Sequence, residues 1–415
     1  MSLHTVGSDA TYILPASMDS IPEAFRSNRS AKPIPCVLQT VNIPALSGNA
    51  TAGGTSVLQI PCGASAGIMM NPYLTFKVQF TGTKAKSLKF KGASLSASAL
   101  INRLSTYVNS VQVDNIQNAD QVYDALFTHS TSQDWLAYDA KALMLSDVSI
   151  AIANADAPNN VSAVKNAVLP LIGLLGSQQA FPLYLINGQL QIQLDYNVIN
   201  RAVWSADADV SAISISDVQL VYDRLQPEQA FIDSVRGQMA QGQNFVYAYT
   251  NYQSVPKVSA SNSTFNYGLN VSSLRGVIQT SVLTADLSSA TAQGKSLNNG
   301  LTQFRVSLDG RLVNSNTLNS SSAPAVCFAE AQKCLSRVFD ASITDKCTDA
   351  TYLTDAFFVG TSTQRVNEGL AFAGSPCSVL SVETSAAGAT FTDFLLFIAD
   401  YQCLIDASGS IQLVR

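Results

Sequence analysis

Alternating apolar and polar positions recur along the chain and predict short β-strands separated by turns. In the clearest example, residues 73–80 (YLTFKVQF), one face of the predicted strand carries Leu74, Phe76, Val78 and Phe80. Strand-like runs of this kind follow one another at roughly regular spacing, with Gly-, Asn- and Asp-containing turns between them. The pattern therefore predicts an all-β sandwich.

Two turn signals define predicted strand pairs. Residues 181–196 (FPLYLINGQLQIQLDY) predict two strands joined by the Asn-Gly pair at 187–188, which is typical of a type I′ turn. Residues 301–313 (LTQFRVSLDGRLV) predict a strand, a turn at the Asp-Gly pair 309–310 and a second strand.

Helical spacing interrupts the strands at four places, 120–129, 135–144, 226–241 and 325–339. The third predicted helix connects two strand-rich halves of near-equal length. Pro227 suits its first turn and Gly242 suits its end. Its apolar residues recur every four positions: Phe231, Val235 and Met239.

The two halves close in the same way, with a mostly apolar strand-like run at 210–225 and another at 389–405. Each run carries two aspartates: Asp217 and Asp223 in the first, Asp393 and Asp400 in the second. A duplication of β domains on this scale favours a structural protein over an enzyme. The predicted division is an N-terminal arm at 1–35, a first β domain at 36–225, a connecting helix at 226–242 and a second β domain with a C-terminal tail at 243–415.

The predicted arm contains one short stretch, 18–25, that suits a helical turn. Prolines elsewhere in the arm discourage regular structure: Pro15, Pro22, Pro33 and Pro35. We expect an arm of this kind to lie on a neighbouring subunit or to have no fixed structure.

The composition points to self-association. Of the 415 residues, 47% are hydrophobic and only 13% are charged, against about 25% charged in ordinary soluble domains. We therefore expect much of the surface to be buried against other copies of the chain. The net charge is −5, and the one basic cluster, 84–91 (KAKSLKFK), is typical of a lysine-protected edge strand or hairpin tip. Sequence-specific nucleic-acid binding is not predicted.

The sequence contains few residues or motifs that support catalysis. There are two histidines, His4 and His129, and no phosphate-binding loop, nucleophile elbow or HExxH motif. Two carboxylate pairs are candidates for paired acids: Asp345 with Asp349, and Asp207 with Asp209. Asp207 and Asp209 are also a candidate Ca²⁺ site. Turn formation explains both pairs better. We predict no catalytic, cofactor-binding or metal-binding residue, and no cofactor.

Seven cysteines are widely spaced, and Cys327 and Cys334 share a face of a predicted helix without the spacing of a zinc knuckle. They are expected to be free, buried thiols in a reducing compartment. No signal peptide or membrane-spanning segment is predicted.

Four passages, in their order along a duplicated chain, carry a resemblance. They are 100–126, a strand, turn and helix; 181–196, late in the first half; 303–318, with the helix after it; and 393–415, a long strand with a short β tail. Together they resemble the double jelly-roll major capsid proteins of icosahedral viruses, in the lineage of adenoviruses, tectiviruses, virophages and polinton-like viruses. The resemblance extends over roughly residues 35–415.

The resemblance implies two tandem eight-stranded antiparallel jelly rolls with short helices in the loops. It also implies a homotrimer that forms a pseudo-hexagonal capsomer and assembles, inside the host cell, into an icosahedral shell around a genome. Expected partners are neighbouring capsomers, penton and minor capsid proteins, and an internal membrane that the arm 1–35 would contact. Three loops are expected to form the outer crown: 144–166, 198–212 and 284–300.

Two other functions remain open from the sequence. One is a penton-type or spike-type virion protein built of β domains. The other is a sugar-binding jelly-roll lectin, which would use Trp204 and nearby aspartates, although packing at a subunit contact explains Trp135 and Trp204 better. A trimer that tiles a lattice would separate the major capsid protein from the penton-type or spike-type protein. The lectin predicts glycan binding by monomers or small oligomers.

Overall fold

The computed structural model describes residues 36–82, 88–150, 160–176, 180–205, 210–259, 261–314, 317–335, 349–364, 374–386 and 390–415. The predicted arm at 1–35 lies outside these residues, as do Asp207, Asp209 and Asp345. The strand, helix and sheet counts are those of these ranges.

The strands of the first half form antiparallel sheets. They are β1 Cys36–Pro44, β2 Asn49–Thr51, β3 Thr55–Pro61, β4 Ile68–Gly82, β5 Leu88–Phe90, β6 Ile101–Val108, β7 Val111–Gln117, β8 Ser149–Ile150, β9 Asn160–Val161, β10 Lys165–Pro170, β11 Gln189–Tyr196, β12 Val203–Trp204 and β13 Val210–Pro227. The largest sheet has the order β1-β13-β4-β10, with β2 on β13 and β9 on β4. The others have the orders β3-β11-β6-β7 and β12-β5-β8.

The strands of the second half form one eight-stranded antiparallel sheet with the order β14-β20-β15-β19-β16-β17, to which β18 adds on β15 and β21 on β20. They are β14 Phe245–Val258, β15 Ser263–Leu283, β16 Gln303–Leu308, β17 Arg311–Leu312, β18 Phe358–Ser362, β19 Ser375–Ser385, β20 Phe391–Ile405 and β21 Ile411–Val414.

Short α-helices lie between the strands. They are α1 Ala119–Ser130, α2 Gln133–Ala137, α3 Asp139–Ala142, α4 Ile199–Ala202, α5 Gln229–Ala240, α6 Thr284–Ser288, α7 Pro324–Cys334 and α8 Asp349–Tyr352. The predicted antiparallel all-β fold with short helices in the loops is confirmed, and the helices predicted near 120–129, 226–241 and 325–339 are present.

The two matching runs that close the halves occupy equivalent places in the sheets. In the first half, β13 pairs with β1, so that Cys36 lies opposite Pro227. In the second half, β20 pairs with β14, and Phe245 lies opposite Ile405. Each half is therefore closed by pairing between its first and last long strands, which is the structural basis of the duplication seen in the sequence.

The period-2 pattern of β4 builds the core as predicted. Leu74, Phe76, Val78 and Phe80 are all buried, because alternate side chains of a strand point to the same face. They share one hydrophobic core with the inward-facing residues of β11, which are Leu190, Ile192 and Leu194.

The predicted hairpin at 181–196 is wrong in its first part. Residues 183–185 form a turn of 3-10 helix whose side chains are buried, and β11 pairs with β3 and β6 instead. The backbone of the segment is already used elsewhere, since the N–H of Phe181 donates to the carbonyl of Met69 (2.8 Å) and that of Tyr184 to Gly67 (3.0 Å). Alternation alone did not reveal this competing pairing.

Other predicted boundaries also differ. Pro227 ends β13 rather than starting a helix, and the connecting helix begins at Gln229. The helix expected at 135–144 is divided at Tyr138 into α2 and α3. Ser263–Leu283 is one long strand, β15, interrupted by bulges near Asn270, whose φ is 49°.

Replacing Phe80 by Ala is expected to lower the free energy of unfolding by about 3–5 kcal/mol, because a fully buried aromatic side chain leaves a cavity. Phe80 is 0% exposed and packs edge-on against Phe90 at 6.0 Å. Thermal and urea unfolding of the purified protein would measure the loss.

Tyr73→Ala on the same strand is the matched control for Phe80→Ala. Tyr73 is 36% exposed, so its removal should cost far less. Equal losses for the two variants would contradict the assigned core face of β4.

Candidate functional site

The two halves meet along a seam of polar and aromatic contacts, which is the candidate functional site within the described residues. On the first half it is formed by β7 and the segment around Leu174, and on the second half by β14. Hydrogen bonds, ring contacts and one cation–π contact cross it. The seam therefore determines how the two halves are held relative to one another.

The centre of the seam is a buried carboxyl group, Asp114 on β7. Its Oδ2 accepts a hydrogen bond from the N–H of Leu174 at 2.7 Å. Its Oδ1 accepts one from Nδ2 of Asn251 on β14 at 2.5 Å. Beside it, the Tyr249 hydroxyl donates to the carbonyl oxygen of Val113 at 2.6 Å. Polar groups of both halves, with Asp114 and Asn251 themselves buried, thus hydrogen-bond to each other across the seam.

The protonation of Asp114 depends on this burial. Removal from water raises its pKa to about 7, and the hydrogen bonds from Leu174, Asn115 and Asn251 only partly oppose the shift. A carboxyl group with this pKa changes charge near neutral pH. The seam therefore contains a titrating group where ordinary aspartates are fully ionised.

Gly173 makes the close approach to Asp114 possible. Its φ is 75°, and a Cβ atom built at this position would lie 2.0 Å from Oδ2 of Asp114. Only glycine satisfies both the left-handed backbone and the contact. No sequence pattern indicates Asp114 or Asn251, and Gly173 within the apolar run 168–175 is the one signal of a close backbone approach there.

Ring contacts support the seam on either side of Asp114. Phe181 meets Tyr247 edge-on, with 5.0 Å between ring centroids, and the Tyr247 hydroxyl donates to the carbonyl of Leu174 at 3.2 Å. His129 stacks on Phe358 at 3.6 Å. This histidine is buried, and its position indicates packing between the halves.

A charged cluster lies at another part of the seam. Nε of Arg201 lies 3.1 Å from Oδ2 of Asp120, and an Nη atom donates to Oδ1 of Asn118 at 2.8 Å. The guanidinium lies 5.8 Å from the ring of Phe394, on the second half. Asn118 also reaches the second half by donating to the carbonyl of Ser254 at 3.3 Å.

The segment 284–300, predicted as a crown loop, crosses from the second half onto the first. Gln293 and Gly92 exchange two hydrogen bonds of 3.0 and 3.1 Å. The N–H of Ser205 donates to the carbonyl of Ala290 at 2.9 Å, and Nζ of Lys91 donates to the carbonyl of Asp286. We call this segment the strap, and its place in an outer crown stays a prediction.

Two clefts open between the halves. One, of about 320 Å³, is lined mainly by polar residues, among them Asp114, Asn251 and Arg415. The other, of about 440 Å³, lies between α2 and the strap and includes Lys141, Lys295 and Asp355. Within the described ranges, no group of three or more His, Cys, Asp or Glu side chains is arranged to hold a metal ion.

Those candidate residues that lie within the described ranges occupy different parts of the fold. Trp135 packs on Phe127 at 6.0 Å, whereas Trp204 lies on the short strand β12. Cys327 and Cys334 are buried along α7, and the six cysteines of the described ranges are free thiols. The prediction that the cysteines are buried is wrong for Cys36, which is exposed because it begins the edge strand β1. In the basic cluster, Lys89 pairs with Asp147 at 3.8 Å, and residues 84–87 lie outside the description. No described helix has the length and apolar character needed to cross a membrane.

Replacing Asp114 by Asn is expected to flatten the pH dependence of stability. A pKa raised from 3.8 to about 7 means that the folded state binds a proton that the unfolded state releases. Between about pH 4 and pH 7 the free energy of unfolding therefore falls as the pH rises, by up to about 1.4 kcal/mol per pH unit. Urea unfolding at pH 5, 6 and 7 should show this slope in the wild type and a smaller one in the variant.

Asp217→Asn is the control for Asp114→Asn, because the Asp217 side chain is 56% exposed. It should keep the wild-type slope. An unchanged slope in Asp114→Asn would show that the seam carboxyl does not titrate in this range.

Comparisons with known proteins find the same architecture in viral capsids. No protein-family model matches the chain, and no curated protein matches it. Among solved structures, the Faustovirus major capsid protein aligns with a TM-score of 0.60 at 10% identity, covering 94% of this chain and 92% of its own. PBCV-1 VP54, fitted into a reconstruction of the virophage Sputnik, gives 0.59 at 11%, with 94% and 99% covered.

The mavirus major capsid protein gives a TM-score of 0.52 at 10% identity and covers 95% of this chain and 94% of its own. These similarities extend over nearly the full length of both partners in each comparison. The chain therefore has the double jelly-roll fold of viral major capsid proteins.

Proposed function

We propose that the protein is the major capsid protein of an icosahedral virus, a structural subunit and not an enzyme. In this proposal three copies form a pseudo-hexagonal capsomer, and capsomers assemble inside the host cell into a shell that encloses the genome. The observation that carries it is the double jelly-roll fold, shared over 94% of the chain with the Faustovirus protein. The low charge content supports the same role.

The proposed domain boundaries follow the duplicated fold. The first jelly roll is residues 36–225, the connecting helix 226–242, and the second jelly roll with its tail 243–415. Ile232, Val235 and Met239 of the connecting helix are buried, and Arg236 donates to the carbonyl of Tyr184 at 2.8 Å. The link is therefore packed against the first roll, which suits a rigid building block.

Exposed apolar side chains supply surface for contacts between copies. The described residues include these large hydrophobic side chains exposed to solvent: Val37, Leu38, Leu46, Tyr73, Val111, Tyr138, Val161, Val164, Val198, Val258, Leu312, Val326 and Val379. Single exposed apolar residues are ordinary, but contiguous ones mark interaction sites.

The most contiguous example is β1, at the edge of its sheet. Val37 and Leu38 are each 66% exposed, although they are neighbours on a strand and so point to opposite faces. Within the described ranges β1 pairs with β13 alone. An apolar edge strand that is open on one side is a template for association, and we propose it as a contact between copies.

Further contacts complete the proposal. The arm at 1–35 directly precedes β1 in the sequence, and we propose that it reaches neighbouring capsomers or an internal membrane. Penton and minor capsid proteins would occupy the remaining lattice positions. The net charge of −5 agrees with a shell that encloses its genome without sequence-specific binding.

The solution mass of the purified full chain, with negative-stain images of the same sample, tests the proposal. Stable trimers with a six-sided outline, or closed shells, are the expected result. A stable 44.0 kDa monomer would contradict it, and glycan binding by such a monomer would favour the lectin.

Replacing Val37 and Leu38 together by Lys is expected to weaken trimer association at least about a hundredfold. Each apolar side chain buried at a contact contributes about 1.5 kcal/mol or more, and every 1.4 kcal/mol is about tenfold in affinity. Analytical ultracentrifugation over a concentration series would measure the change.

Val326→Lys is the matched control for the double variant. Val326 is 50% exposed but lies on α7, away from the edge of β1. Equal weakening by this control, or none by the double variant, would remove β1 from the proposed contact.

A further inference from the structure

A lysine and an aspartate face each other inside the second half. Lys257 on β14 and Asp393 on β20 are directly opposite in the strand register. Their side chains are 2% and 1% exposed, and Nζ lies 3.8 Å from Oδ2. Burying an ion pair costs several kcal/mol per charge, and the exposed pair Lys77–Asp217, with side chains 46% and 56% exposed, incurs no such cost.

The two oxygens of Asp393 have different surroundings. Oδ1 accepts hydrogen bonds from the Ser281 hydroxyl at 2.6 Å and from Nδ2 of Asn299 at 3.1 Å. Oδ2 accepts none from the described residues, although it is buried, and it is the atom that faces Lys257. One oxygen thus lies between two donors, and the other is free beside an amine.

The surroundings of Lys257 are mainly apolar. Nζ donates to the Thr384 hydroxyl at 2.8 Å and lies 4.3 Å from the ring centroid of Phe265. Burial lowers the pKa of Lys257 to about 8, which the charge of Asp393 only partly offsets. Burial also raises the pKa of Asp393. Both shifts favour a neutral amine beside a neutral acid.

We propose that Lys257 and Asp393 condense to form an intramolecular isopeptide bond between Nζ and Cγ. A proton first passes from the ammonium group to Oδ2, which leaves a nucleophilic amine and a carboxylic acid. Nζ then turns from Thr384 and attacks Cγ. The pair is held in register by the strands, so that reaction requires no encounter between separate groups.

The remaining steps balance without another reactant. Attack places negative charge on Oδ1, where the donors Ser281 and Asn299 stabilise it as an oxyanion hole does. A proton moves from Nζ to the Oδ2 hydroxyl, the bond between Cγ and Oδ2 breaks, and one water leaves. Lys257 keeps one hydrogen on Nζ, and the product is a neutral amide.

The bond would join the strands that close the second half. β14 is its first strand and β20 its last long strand, and the two are held otherwise by hydrogen bonds and side-chain contacts alone. The product also removes two charges from an interior that disfavours them. The inference is independent of the proposed capsid role, because it concerns chemistry within one chain.

Intact-mass spectrometry of the denatured full-length protein tests the proposal. The wild type is expected to be lighter by one water than its sequence. Tryptic digestion should then yield one branched species, in which peptide 237–275, uncleaved at Lys257, is joined to peptide 366–415. Separate peptides 237–257, 258–275 and 366–415, with full intact mass, would overturn the proposal.

Two variants distinguish this bond from other losses of water. Lys257→Arg keeps a positive charge without the amine and should have its full sequence mass. Lys295→Arg, in a partly exposed pair with Asp355 at 2.9 Å, should remain one water lighter. A water loss that persists in Lys257→Arg would indicate cyclisation of an aspartate and would overturn the proposal. Should that variant fail to fold, the branched peptide of the wild type decides the question.

Discussion

The burial of Asp114 is the constraint on which the arrangement of the two halves depends. Each half can form its sheets from its own strands, but neither half alone satisfies this carboxyl group, because Asn251 lies on the other half. An unpaired buried polar group costs about 1–3 kcal/mol or more. Apolar contacts such as that of Phe181 with Tyr247 would persist if one half shifted slightly against the other. The hydrogen bonds of Asp114 are directional and so permit only one alignment of the two halves. The polar centre thus sets the geometry of the seam, and the surrounding rings add apolar contacts to it.

Local pattern predicted the parts of the fold in which one physical signal dominates. The alternation at 73–80 gave the buried face of β4, and the Asp-Gly pair at 309–310 gave the turn between β16 and β17, where both residues have positive φ. The repeated closing runs indicated the duplication. Prediction failed at 181–186, where partners distant in sequence hold the backbone, and at Pro227, where pairing with Cys36 extends a strand through a residue that also suits the start of a helix.

The candidate sites were less predictable than the fold, for a related reason. Asp114 and Asn251 are 137 residues apart and belong to no motif, so only the three-dimensional packing brings them together. The same holds for Lys257, Asp393, Asn299 and Ser281, of which the sequence indicated only Asp393, as one of a pair of aspartates on a closing run. Chemistry in this chain arises where strands from distant segments become neighbours. A search by sequence motif does not find these residues, because they are close together across the sheet but far apart along the chain.

The pairing of first with last strands in each half also determines when, during synthesis, the proposed contact edge on β1 can form. β1 has no partner until β13 has been synthesised and placed beside it. Such long-range pairings form slowly, because a large loop must close, at a cost in conformational entropy, before the strand contacts can stabilise it. The apolar edge carrying Val37 and Leu38 is therefore presented in its final geometry only by a first half that is complete. This ordering would disfavour association between partly made chains, which would otherwise aggregate.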